Sequence, residues 1–162
     1  DVRTRLWAKQ KEIETGVDAQ IWVGANYFTQ SIYYKVPFAP LFKIQDSIYV
    51  LDFQSDQMTV YTPMGEVSRR TPLLFHYHKD KTGWKRIILK DDSIQALYAL
   101  FEKDGISMLG KIDLTTGKIV SKHRLYHKYV EKIRIHQGNV YYIYRPFESI
   151  QKRFLYKERL FD

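Results

Sequence analysis

Lysine and arginine set among tyrosines can neutralise an anion and stack a planar group in one contact. The last third of this sequence has that composition. From Lys128 to Arg159, basic residues alternate with Tyr141, Tyr142, Tyr144 and Tyr156. Six positions stand out as ligand-binding candidates: Lys128, Lys132, Arg134, Tyr142, Arg145 and Arg153. Such a set can stack bases and neutralise phosphates, and it can equally stack sugars and pair with the uronates or sulfates of an anionic glycan; a protein partner is a third reading. The same composition also fits tyrosines packed between sheets with a basic coat outside.

The histidines suggest weaker chemistry. His76 and His78 are two apart, so on a strand they share a face, and with a third ligand they could hold zinc. His123 and His127 have the spacing of a helical zinc pair, but no glutamate follows the first histidine and the local pattern is strand. No metal and no cofactor is expected, and His136, beside a glycine turn, is expected at the surface. Asp52 and Asp92 could pair as glycosidase carboxylates, which need a separation of about 5–10 Å. Aspartate near a turn otherwise caps backbone N–H groups without any catalytic role. No nucleophile elbow, phosphate loop or dinucleotide fingerprint is present.

The elements that position these residues read as strands. The chain has 162 residues, no cysteine, thirteen tyrosines and a net charge of +8, which suits one folded domain without disulfides or thiolate metal sites. The charge is uneven. Residues 1–116 carry 15 basic and 14 acidic residues, a net of +1, and residues 117–162 carry 11 and 4, a net of +7. No run approaches the ~18 apolar residues of a membrane helix.

Short apolar runs alternate with turn residues from Pro40 onward. IYVLDF, QALYALFE and VYYIY are the central strands of three units, and their tyrosines, Tyr49, Tyr98 and Tyr141, lie 49 and 43 residues apart. A period near 45 with about four strands per unit is a β-propeller signature. The units expected are about 40–78, 79–128 and 129–162, with residues 1–39 as N-terminal strands of a partial blade. Within 1–39, Leu6, Trp7 and Ile13 allow a helix ending at Gly16, but a charged outer strand is the expectation here. Ile21 to Val23 and Ser31 to Val36 also read as strands. Tyr141 is expected in the core, so that Tyr141→Ala destabilises the fold.

The run IYVLDFQSDQMTVYTPMGEV resembles the blades of NHL-type six-bladed propellers, and IDLTTGKIV resembles a turn common to many propeller repeats. Residues 40–162 are similar to the C-terminal half of uncharacterised bacterial propeller-like proteins, often exported or lipid-anchored. The resemblance implies an all-β module of about three blades and a partial one, a fragment of a larger propeller, with a periplasmic or cell-surface location. Its motifs are structural, specify no function and transfer no catalytic residue; on resemblance an anionic glycan is favoured over nucleic acid, and the leading reading is a non-enzymatic binding or scaffold module. A hydrolase or lyase acting on glycans at the propeller mouth is the alternative. Three blades leave open edges, so an edge-paired oligomer is a further expectation.

Overall fold

The computed structural model describes residues 2–30, 37–77, 79–146 and 152–160. The chain divides into two units, 1–37 and 38–162.

The first unit corrects the expectation of N-terminal strands. It holds two helices, α1 (Val2–Thr15) and α2 (Ala19–Gln30). Lys9 pairs with Glu12 at 2.8 Å and Lys11 with Glu14 at 2.6 Å, contacts that helical spacing creates and a strand does not. Gly16 adopts φ +72° and its N–H bonds to Glu12 O, which ends α1. Asp18 Oδ1 accepts from Gln20 N at 2.6 Å as the cap of α2. The apolar run Ile21 to Val23 lies inside α2, and Trp7 meets Trp22 edge to face at 5.9 Å. Ser31 to Val36 lies outside the described residues.

Among the described residues, the second unit is antiparallel β structure in three sheets, none closed on itself. The first sheet is a meander of β1 (Leu41–Ile44), β2 (Ser47–Asp52), β3 (Gln57–Tyr61) and β4 (Val67–Pro72). A short helix α3 (Lys79–Thr82) precedes the second meander, β5 (Trp84–Asp91), β6 (Ala96–Lys103), β7 (Ile106–Ile112) and β8 (Ile119–Lys128). The third sheet has β9 (Glu131–His136), β10 (Asn139–Tyr144) and β11 (Phe154–Arg159), with β10 in the middle. Tight turns follow from sequence: Asp104 and Gly105 both take positive φ, +52° and +74°, as a two-residue hairpin demands.

Two cores hold the sheets together, and β6 belongs to both. Leu97, Ala99 and Phe101 join Ile44, Leu51, Met58 and Trp84 in one cluster. Ala96, Tyr98 and Leu100 join Leu109, Leu125, Ile133, Ile135, Val140 and Tyr142 in the other. Alternation along one strand therefore sends one set of side chains to the first sheet and the other to the third. Each fully buried side chain of this size contributes roughly 1.5–3 kcal/mol.

Polar ties reinforce the contacts. Gln45 N donates to Gln95 Oε1 at 3.1 Å, joining the β1–β2 and β5–β6 turns. Asp91 is fully buried and accepts from Gly138 N at 2.7 Å, Ser93 N at 3.0 Å and Gln137 N at 3.2 Å. Burial works to raise its pKa, but the N–H groups of Gly138, Ser93, Gln137 and Ile94 prevail and hold it below the usual carboxylate range.

The three tyrosines of the repeat have different fates. Tyr98 is buried, and Tyr49 is partly buried against the first core. Tyr141 is not a core residue, contrary to expectation: Val140 and Tyr142 are the buried pair on β10, and Tyr141 lies on the opposite side.

Candidate anion-binding face

The third sheet packs one face on the second sheet and leaves the other outward. Val140 and Tyr142 point inward, so alternation turns Tyr141 and Ile143 outward. Strand register then sets their neighbours. Tyr141 pairs with Arg134 on β9 and Lys157 on β11. Ile143 pairs with Glu131 and Leu155, and Asn139 with His136 and Arg159. Directly paired residues share a face, so Arg134, Tyr141 and Lys157 form a row across the sheet. Neighbouring strands are about 4.8 Å apart, close enough for one ligand group to reach two of these side chains.

Arg134 and Lys157 are exposed, Tyr141 is half-buried, and Leu155 is 72% exposed. Lys157 Nζ stands 5.8 Å from the Tyr141 ring centre, within cation–π range. Arg134 Nη1 donates to Ile133 O at 3.0 Å, which steadies the guanidinium on its own strand. The carboxylate nearest in register is Glu131, 3.8 Å from Arg153. The row itself is two cations and an aromatic ring.

The inward side of β11 anchors this face. Glu158 accepts from the Tyr142 hydroxyl and from Tyr126 N at 3.0 Å, and His123 Nε2 is 3.3 Å from its other oxygen. His127 Nδ1 is 2.7 Å from the Tyr142 oxygen. The hydroxyl has one proton and gives it to Glu158, so His127 Nδ1 is the donor to Tyr142. The His127 ring also stacks on Tyr144 at 4.3 Å and meets Tyr156 at 4.2 Å. Burial first, and then the bond to Glu158, push the Tyr142 hydroxyl far above its ordinary pKa.

The six expected ligand positions separate. Arg134 belongs to the row, and Lys132 is exposed beside it on β9. Tyr142 is fully buried beneath the sheet, which corrects its assignment as a ligand contact. Lys128 ends β8 on the second sheet. Arg145 follows β10 and is exposed, and Arg153 precedes β11 beside Glu131. The six were chosen by composition, which left out Lys157. The alternation of β10, with Val140 inward, is the signal that selects it.

The weaker candidates do not converge. His76 Nε2 is 2.9 Å from Asp56 Oδ1, and His78 lies outside the described residues. Among the described residues, no group of three or more His, Cys, Asp or Glu is placed to hold a metal ion. His123 and His127 lie on a strand and serve Glu158 and Tyr142. His136 is exposed, 3.3 Å from Ser93 Oγ. Asp52 caps its own turn through Gln54 N at 2.9 Å and Ser55 Oγ at 2.7 Å. Asp92 pairs with Lys90 at 2.5 Å. The tie from Gln45 to Gln95 places the Asp92 turn at the β1–β2 end of the sheets, and Asp52 sits at the other end of β2. They are not a catalytic pair. Compared with known proteins, the sequence matches no family model and no curated sequence.

Proposed function

We propose that residues 38–162 are three consecutive blades of a propeller-type binding module, similar to the C-terminal half of bacterial NHL-like propeller proteins, and that the outward face of the third sheet takes an anionic ligand. The row Arg134–Tyr141–Lys157 carries this reading. Two cations flank a half-buried ring, which suits a carboxylate or sulfate attached to a flat sugar face. The flanking Ile143 and Leu155 add apolar contact. The role is binding without catalysis: the Tyr142 hydroxyl is locked into Glu158, and Asp52 and Asp92 lie at opposite ends of the sheets.

Titration with fluorescein-labelled polyuronate, a sulfated glycan, a neutral glycan and a single-stranded oligonucleotide tests it. The acidic glycans bind, and affinity falls as salt rises. Arg134→Ala with Lys157→Ala lowers that affinity about tenfold or more, roughly 1.4 kcal/mol, and leaves the melting temperature within a few degrees. Equal binding of the neutral glycan, or no loss in the double variant, overturns the proposal. Tighter binding of the oligonucleotide moves the ligand class to nucleic acid.

A further inference from the structure

The repeat shows what its faces are for. Register makes Ile48, Leu97 and Val140 equivalent: each is the second residue after the first hairpin turn of its sheet. Val50, Ala99 and Tyr142 are equivalent in the same way. Leu97 and Ala99 are buried against the first sheet, and Val140 and Tyr142 against the second. Ile48 and Val50 line an outward groove of about 580 Å³ instead, with Leu41, Lys43, Asp46 and Tyr61. Leu41 is 60% exposed there. In two of three sheets, then, this face is covered by another sheet, and in the first sheet it keeps the apolar character of a covered face.

A second copy has two outward sheet faces to offer. Its third sheet would bring Arg134 and Lys157 against a face that already carries Lys43 and Arg70, adding like charge and stripping those cations of water. Its first sheet would bring apolar side chains against apolar side chains, as sheets pack face to face. Lys43 and Asp46 line the groove, register adds Arg70 to the row of Leu41, Val50 and Thr59, and alternation adds Asp52, so this face carries two cations and two carboxylates. With equal numbers of cations and carboxylates the face is self-complementary, and an isologous contact about a two-fold axis lets the cations of each copy meet carboxylates of the other. We infer that the outer face of the first sheet is a self-association surface, on which two copies pack about a two-fold axis. The basic faces of the third sheets stay free at the far ends. This inference is independent of the ligand reading.

Light scattering at tens of micromolar is the first test. The wild-type chain shows twice its monomer mass, and Ile48→Glu with Val50→Glu shows the monomer mass with an unchanged far-ultraviolet spectrum. The chain has no cysteine, so Val50→Cys supplies a second test that survives if the double variant fails to fold. Oxidation joins two Val50→Cys chains across the axis. A monomeric wild type overturns the inference. So does a cross-link that forms only in a chain carrying both Val50→Cys and Tyr141→Cys, since that contact is head to tail.

Discussion

The two outermost sheets of unit 38–162 place different residues at the same repeat positions. Register aligns the row Phe42–Tyr49–Val60 of the first sheet with Leu89–Tyr98–Lys111 of the second and Arg134–Tyr141–Lys157 of the third. The tyrosine is constant and its flanks change from apolar to basic. In the first two sheets the row meets a neighbouring sheet, and its apolar members help fill a core. In the third sheet it faces outward, where cations remain hydrated. A repeat of backbone thus does not imply a repeat of role: the flanks decide whether a tyrosine packs or is presented.

Exchanging the tyrosines gives the largest expected effect. Tyr98→Ala empties a site between two sheets and costs about 3–5 kcal/mol. Tyr141→Ala, on the outward row, costs less than about 1 kcal/mol. Urea denaturation of both variants measures the difference, and equal losses would abolish the distinction between covered and presented rows.

Asp91 sharpens the comparison at the next position. It is equivalent to Ile44 in the first sheet and His136 in the third. Asp91→Asn removes a charge that accepts backbone N–H groups from the third sheet, a loss of about 2–3 kcal/mol. The pH dependence has a definite sign. The folded pKa is depressed, so the stability Asp91 contributes is present above the unfolded value and is lost as pH falls through the folded one. Wild type therefore loses more stability than Asp91→Asn between neutral and acidic pH. Parallel losses in chemical denaturation at both pH values would remove Asp91 as the tie between sheets.

Tyr142→Phe is expected to have the smallest stability cost among the buried changes, about 1–2 kcal/mol, because it deletes one hydroxyl and leaves Glu158 with Tyr126 N and His123. Its anion affinity stays at the wild-type value, since the ring lies under the sheet. A fall in affinity without a fall in stability would return Tyr142 to the ligand site.

Much of the sheet structure was legible because alternation and turn chemistry are local. IYVLDF, the Asp104–Gly105 hairpin and the spacing of the central strands all mark real strands. The helices α1 and α2 were not. In TRLWAKQKEIE, pairs such as Lys9–Glu12 stabilise a helix only once it forms, and Ile21–Trp22–Val23 is too short an apolar run to separate helix from strand. The candidate face was half legible. Its basic and aromatic composition is local, but choosing Tyr141 over Tyr142 requires knowing which side of β10 the second sheet covers. That choice belongs to tertiary contact, which no single strand encodes.

Because β6 contributes to both cores, the three sheets cannot come apart independently at its level. Releasing the first sheet strips Leu97, Ala99 and Phe101, and releasing the third strips Tyr98 and Leu100 from the same eight-residue strand. Coupling between neighbours of this kind turns a row of units into one cooperative transition. The amides of Ala96 to Phe101 are accordingly expected to be the last to exchange with solvent, with the strand acting as the keel of residues 38–162.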